Sequence, residues 1–491
     1  MRKMSTLMAL LITGYILGVL NFLLMPKYYI AFGLKGFVLS LLALGVGLIL
    51  IYGELEATRK TRYLIHEFMV KVSRLPAITI VLLMFLMLFG AINLYYSGFA
   101  LLKLLNLGTT ALIGILLVVI ALIWLFLIIL RSRSVEFIGA LAVLFIIFAF
   151  VSLFLMREQV YSFVKSEAAL NYLNSYRHAV LSFDHSLTAK GTITMLITVL
   201  LSLGLGAGVY YVLGSFAPSE LDFRKLLGVV LLLQILLSFA AAFTTVYAIG
   251  AAYQSYENNQ IKYKQIHEEL GKVFANPNLT AEEAMKKYNQ LQEVLKGINQ
   301  TLSNFQKVRR YASFSDENPI RAIETFYLIP DIIRESGISG SSAIIFLLMG
   351  SLFLAGFTTL IVLVEIGAQI SAETFQMKRN TSVSFVSGAI LVLSAAMMVS
   401  GIKVLFLGAL LGVGGLIIAL EGVPLLIGVS PVDRRLIGVG VLASVVIGLM
   451  ALKTMLSFPS SYVKLGILVG LLLFLPVLFN NYLLAGSRRG R

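Results

Sequence analysis

The chain has 491 residues, of which 59% are hydrophobic and only 13% charged, with a mean hydropathy of +0.92. A soluble chain this apolar has no way to hide its surface, so the composition points to an all-α, polytopic membrane protein. Cysteine is absent, which excludes disulfides, thiolate metal sites and cysteine nucleophiles, and the formal charge of +15 is better explained by cationic loops beside a bilayer than by nucleic acid.

A spanning helix needs about 20 mainly apolar residues. By that measure twelve segments qualify: 5–24, 33–52, 77–99, 105–130, 135–155, 191–213, 226–248, 341–366, 383–401, 404–420, 436–456 and 462–484. The first has the length of a span and no small-residue cleavage site, so it reads as a retained helix. Lysine and arginine in the short connections set the orientation. With the N-terminus inside, one side collects Arg59, Lys60, Arg131, Arg133, Arg224 and Arg434, among others. The opposite short connections hold only Lys27, Lys35, Lys103, Lys403 and Lys453, with Lys464 at a helix start. The expectation is a multi-pass plasma-membrane protein with both termini in the cytoplasm.

Between the spans, segment 55–74 is too polar to cross. Leu64, Ile65, Phe68, Met69 and Val72 share one helical face flanked by basic residues, which predicts an interfacial helix on the cytoplasmic surface. Two longer segments fall outside: a loop at 157–190, and a charged, helix-patterned insertion at 251–337. Thr280-Ala-Glu-Glu283 is a capping-box start, and Leu291, Leu295, Ile298, Leu302 and Phe305 continue a helical stripe from it. A helical hairpin, 256–275 and 280–310, is predicted there.

Two spans carry irregular chemistry. Ser202-Leu-Gly204-Leu-Gly206-Ala-Gly208 puts glycine at alternate positions, each costing about 1 kcal/mol against alanine in a helix. Close helix packing is one explanation. A helix that unwinds at mid-membrane to offer backbone groups to a substrate or ion is the other, since irregular backbone is tolerated there where it is buried or lines a cavity. The first span has its own interruption, Gly14-Tyr-Ile-Leu-Gly18-Val-Leu-Asn21, closing on Pro26. If spans one to five and six to ten are two repeats, these two positions are equivalent, which favours a transport site. Asn21, Asn93, Ser202, Gln234, Thr358, Thr359 and Glu365 stand out among the polar residues within the apolar segments; hydroxyl, amide and carbonyl oxygens suit a hard cation.

Read together, these residues resemble the neurotransmitter:sodium symporter family, as a divergent prokaryotic-type member. Gly18-Val-Leu-Asn21-Phe-Leu-Leu-Met-Pro26 is similar to the family's first-helix pattern Gly-Leu-Gly-Asn, two residues, Arg-Phe-Pro. Ser202–Gly208 followed by Gly214-Ser-Phe216 resembles its sixth helix, Gln234 to Phe243 its seventh, and Leu354-Ala-Gly-Phe-Thr358-Thr359 through Glu365 its eighth. Phe326-Tyr-Leu-Ile-Pro330 resembles the re-entrant outer loop before that eighth helix.

The resemblance implies a LeuT-like 5+5 inverted repeat of about twelve helices with the first and sixth broken. The first repeat is then 1–156, the loop 157–190 follows, 191–420 is the second repeat with the hairpin inserted, and 421–491 holds the last two helices and a basic tail. It implies a sodium-coupled symporter importing a small organic solute, an amino acid or related compound, by alternating access. The rival reading is a transporter-derived scaffold or receptor that no longer transports and makes protein contacts through the hairpin 256–310. An enzyme is not expected.

Carried over by position, one sodium ion would use carbonyls of Gly14, Leu17 and Ala355 with the hydroxyls of Thr358 and Thr359. A second would use the Ile16 carbonyl, Asn21, Ser202 and Gln234, the last standing where the family has an asparagine one methylene shorter. Ser238 stands at a chloride-linked position while Leu41 and Thr198 depart from that pattern, so chloride use is left undecided. The substrate positions are Tyr15, Gly18, Val19, Leu20, Phe89, Asn93, Leu201, Gly204, Ala207 and Leu363. The outer-gate positions fall on Leu24 and about Val404, and Glu373 is the inner-gate acid, facing Arg2 or Lys3.

Overall fold

The computed structural model describes residues 2–129, 134–274, 280–312, 323–324, 326–427 and 433–489; the side chains of 2–5, 20, 21, 134, 135, 310–312 and 486–489 lie outside that description. Among the described residues every regular element is a helix. Nine helical stretches among the described residues are long and apolar enough to cross a membrane. That is three fewer than the twelve expected, and each shortfall has a local cause. The first span is cut after the 15-residue helix Arg2–Ile16 and its remainder joins the second, the sixth is divided into two pieces too short to cross alone, and the ninth, Arg379–Ala396, begins with a polar turn.

In chain order, α1 (Arg2–Ile16) stops at Leu17-Gly18, and α2 (Val19–Thr61) starts on Gly18, whose backbone is extended. Within α2 the chain bends at Gly33, where φ is +55°; a side chain there would meet the Ala179 carbonyl at 2.6 Å. Only glycine takes that conformation and that approach without strain. Two predicted spans are therefore one interrupted rod that continues nine residues past the predicted end at Tyr52.

Beyond it, α3 (Ile65–Phe68) and a π-turn (Met69–Ser73) replace the interfacial helix expected over 55–74. Residues 55–61 belong to α2. The apolar face is the one the pattern predicts, but it turns inward: Ile65, Phe68 and Met69 are fully buried in protein instead of resting on lipid.

Three long helices follow: α4 (Pro76–Leu104), α5 (Leu112–Ile129) and α6 (Ser134–Phe163). The loop at 157–190 is largely helical, ending in α7 (Glu167–Val180) with Ser166 as its N-cap. The sixth span is split into α8 (Ala189–Ser202) and α9 (Val209–Phe216). The seventh continues without a joint into the first arm of the hairpin as α10 (Phe223–Val273), and the second arm is α11 (Ala281–Ala312). The predicted capping box forms: the Thr280 amide donates to Glu283 and the Glu283 amide to Thr280 Oγ1.

The chain closes with α12 (Ile329–Ser336), α13 (Ser341–Phe375), α14 (Arg379–Ala396), α15 (Ile402–Ile427), α16 (Arg434–Leu456), α17 (Ser461–Leu472), α18 (Leu475–Leu478) and α19 (Asn480–Arg489). Central to the bundle are α4 and α13, 89% and 83% buried over their most apolar windows, with α1, α2, α6 and α14 packed around α13. The outer helices instead present leucine and valine, as in Leu122 of α5, Leu442 and Leu449 of α16, and Leu468 of α17. Such a continuous apolar exterior suits a hydrocarbon solvent.

Candidate functional site at two helix breaks

The alternate glycines settle how α8 becomes α9. Gly204, Gly206 and Gly208 all take positive φ, at +73°, +93° and +70°. L-residues avoid this region, so the stretch cannot be helical and each position calls for glycine. There is no room for a side chain either. An added Cβ would lie 2.5 Å from the Tyr15 ring at Gly204, 2.6 Å from Phe85 at Gly206 and 2.6 Å from Ile65 at Gly208. The two explanations of this stretch prove complementary: it is a broken helix and it is tightly packed.

Breaking a helix frees backbone groups that must find partners away from water. Tyr15 Oη donates to the Gly204 carbonyl at 2.7 Å, and Tyr210 Oη donates to the Leu203 carbonyl. The amides of Gly206 and Gly208 both donate to the carboxylate of Glu421 on α15, the second at 2.7 Å. Tyr211 Oη in turn donates to the Glu421 carbonyl at 2.8 Å. Successive amides around left-handed residues form a small anion-holding concavity. Here the protein fills it with its own acid.

Around the other break, α13 comes up against α1 and α2. Thr358 Oγ1 donates to the Ala355 carbonyl at 3.0 Å and approaches the Gly14 carbonyl at 3.4 Å; Thr359 Oγ1 donates to Ala355 at 2.9 Å. A Cβ on Gly18 would be 2.9 Å from Thr359 Oγ1, so the threonine sits directly on the α1–α2 break. Four of the five positions assigned to one sodium site therefore converge: Gly14, Ala355, Thr358 and Thr359. Leu17, the fifth, lies fully buried in the break itself.

The other sodium set is closed differently. Ser202 Oγ donates to the Val199 carbonyl at 2.7 Å and accepts from Gln234 Nε2 at 3.1 Å, so the two side chains bridge α8 and α10 directly. Ile16 is buried at the end of α1, and the Asn21 side chain lies outside the described residues.

Of the substrate positions, Tyr15, Val19, Phe89, Leu201, Ala207 and Leu363 are all buried. Leu201 is pressed against Gly414 of α15, and Gly204 is filled by Tyr15. Asn93 donates to the Phe89 carbonyl at 2.9 Å, while its Oδ1 is buried with no hydrogen-bond partner among the described residues. The Leu20 side chain is outside the description. Ser238 and Thr198 are buried but Leu41 is exposed, so these three chloride-linked positions do not share one pocket.

Both ends are held by polar contacts. On the hairpin side, Leu24 is buried, and Lys403, next to Val404, pairs with Glu324. Lys103 of α4 reaches Asp331 of α12 at 2.5 Å, and Tyr327 Oη donates to the Tyr96 carbonyl. At the opposite end, Glu373 accepts from the His66 amide at 3.2 Å, and its second carboxylate oxygen is buried without a partner among the described residues. Arg2 and Lys3 lie outside the described side chains. Glu373, His66, Glu67, Lys71 and Tyr482 line a cavity of about 570 Å³ there. Burial holds the His66 imidazole below its ordinary value.

Glu54 and Glu421 escape the sequence reading because the predicted spans end at Tyr52 and Leu420. A signal is present: apolar residues resume at Leu55 and continue from Gly422 to Ile427, which puts each acid inside a longer helix. An acid inside such a helix is a functional candidate by default.

Among the described residues no three histidine, aspartate or glutamate side chains group as a metal site. No known protein family and no characterised protein matches this chain.

Proposed function

We propose that the chain is a sodium-coupled secondary transporter, importing a small organic solute such as an amino acid by alternating access. The observation that carries the reading is the meeting of the Gly14 and Ala355 carbonyls with the Thr358 and Thr359 hydroxyls at the α1–α2 break. These are hard oxygen donors in a buried place, a set suited to a hard cation. A second break, between α8 and α9, supports an inverted 5+5 arrangement within twelve membrane helices. The lysine and arginine bias supports a plasma-membrane orientation with both termini inside. Sodium held between α1 and α13 ties the broken helix to the central one and favours the solute-binding conformation; the solute must then tighten sodium by the same factor.

The test uses the purified full-length protein. Sodium, and not potassium, is expected to raise its thermal midpoint, with stabilisation of about 2.7 kcal/mol at a hundredfold excess over the dissociation constant. Thr358→Ala with Thr359→Ala removes the effect. No sodium response from the intact protein sinks the proposal.

One observation favours the scaffold reading. The direct Ser202–Gln234 bond and the Tyr15 side chain over Gly204 occupy positions that a cargo site would need. Meanwhile the hairpin exposes Ile261, Met285 and Val294.

A further inference from the structure

Glu54 of α2 and Glu421 of α15 are both fully buried, and their helices meet beside them: a Cβ on Gly53 would lie 2.9 Å from Leu425 and one on Gly422 would lie 3.1 Å from Leu50. Their surroundings are unequal. Glu421 accepts the Gly206 and Gly208 amides, two donors that stabilise a carboxylate charge. Glu54 has no hydrogen-bond partner for either carboxylate oxygen among the described residues. The titratable groups that act on the two acids are Tyr15 from α1 and Tyr210 and Tyr211 from α9, all neutral donors. Of the other elements packed on α15, none of α4, α8, α16, α17 and the π-turn with Lys71 brings a titratable group to bear on Glu421, and none of α3, α4, α7, α8, α10, α11, α13 and α16, which pack on α2, brings one to Glu54. No cationic side chain among the described residues pairs with either acid.

A lone buried charge is tolerated only where donors or an opposite charge offset it. Glu421 meets that condition and Glu54 does not. Two bare carboxylates in one apolar site repel, and such pairs resolve by holding a proton. A metal ion is the weaker occupant, because the nearby side-chain oxygens named here beyond the two acids, the phenols of Tyr15, Tyr210 and Tyr211 and the hydroxyl of Thr58, donate to carbonyls already.

We propose that Glu54 and Glu421 form a proton-binding site behind the α8–α9 break, with the proton on Glu54 and the charge on Glu421. The proton lets Glu421 keep its grip on Gly206 and Gly208. Losing it places a second negative charge against Glu421 and loosens the anchor of the broken helix. The unwound stretch is thereby fastened in a pH-dependent way. This holds whether or not the protein transports a solute.

The sign follows from proton counting. The folded state holds a proton that a solvated glutamate gives up near neutral pH, so unfolding releases one and stability falls as pH rises. The experiment is infrared difference spectroscopy on the full-length protein in lipid discs, between about pH 6 and about pH 9, alongside thermal unfolding. The wild type is expected to show a protonated-carboxyl stretch near neutral pH that Glu54→Gln lacks and Glu421→Gln retains. Glu54→Gln, which mimics the neutral acid, is expected to keep its midpoint near neutral pH and to lose one proton's worth of alkaline sensitivity, about tenfold in the folding equilibrium per pH unit. If Glu54→Gln does not fold, Glu54→Met carries the same comparison. A spectrum unchanged by replacing Glu54, or a band lost with Glu421 instead, overturns the assignment.

Discussion

The three glycines of the α8–α9 break make a sharp test at single residues. Gly206→Ala forces a side chain into positive φ, which costs about 1–2 kcal/mol, and into overlap with Phe85, which costs about 1–3 kcal/mol more. Gly208→Ala meets the same two penalties against Ile65. Gly45 and Gly114 are the controls: each lies within a helix with nothing inside 4 Å of an added Cβ, so alanine there gains up to about 1 kcal/mol. Thermal midpoints of the four variants are expected to split into two pairs; a Gly206→Ala variant as stable as Gly45→Ala would refute the backbone account. These glycines are legible in the sequence as a weak point of the helix, because glycine at alternate positions is poor helix material, but the spacing alone leaves close packing and unwinding both open, and the left-handed backbone is visible only in the structure. Glu54 and Glu421 are not, because an apolar window ends at the first polar residue. Periodicity can show that an acid lies on a helix, but not which backbone amides a distant segment will aim at it.

At the scale of elements, the short α3 shows what a pattern can and cannot fix. Its apolar face is readable from Ile65, Phe68 and Met69, yet helical period says which face is apolar and nothing about what covers it. The cover is the broken sixth span, where Ile65 lies against Gly208, and Glu373 at the end of α13. His66 makes this element pH-sensitive. Its folded value is lowered by burial, so the fold binds fewer protons than the unfolded chain below the ordinary imidazole value of about 6.5. Its contribution to stability is present at neutral pH and is lost as pH falls through that value toward the lowered one. Hydrogen exchange over residues 64–74 is expected to speed up on acidification, and His66→Gln to flatten the response. Exchange that is equally pH-dependent in the variant, after correction for intrinsic rates, rules the imidazole out. On the hairpin side, the partly exposed Lys103–Asp331 pair is worth about 1 kcal/mol or less. Asp331→Asn is accordingly expected to raise exchange over Ile329–Ser336 while leaving the global midpoint nearly unmoved; a large fall in that midpoint would show a structural role beyond the pair.

Across the whole molecule, the decisive dimension is the length of α10. Its 51 residues make a rod of about 75 Å, more than twice the hydrocarbon thickness of about 30 Å, so the seventh span necessarily stands far out of the bilayer. The sequence reveals both parts of this rod separately, but not their continuity: Gly250 falls between them where a joint would, yet the helix runs straight through it and uses the missing side chain to take Leu173 of α7, which an added Cβ would meet at 2.7 Å. At its base, Tyr172 of α7, Tyr253 and Tyr256 of α10 and Phe305 of α11 pack as one aromatic cluster, with Tyr172 and Tyr253 stacked at 4.4 Å. Beyond that cluster the two arms touch chiefly each other, through the Lys287–Glu269 pair and the contact of Phe274 with Tyr288. Replacing residues 262–296 with a short glycine-serine link removes the distal arms and spares the cluster that seats the hairpin on the membrane bundle. For a transporter whose chemistry lies at Gly14, Thr358 and Thr359, this deletion is expected to leave both the sodium-dependent midpoint and sodium-driven uptake into vesicles within about twofold of the intact protein, because no residue of the two breaks is touched. A scaffold makes the opposite demand: the shortened protein would keep its fold, show no uptake in either form, and lose a partner captured by the intact hairpin. The two readings therefore part on one deletion variant, with the unchanged membrane bundle as the internal reference for folding.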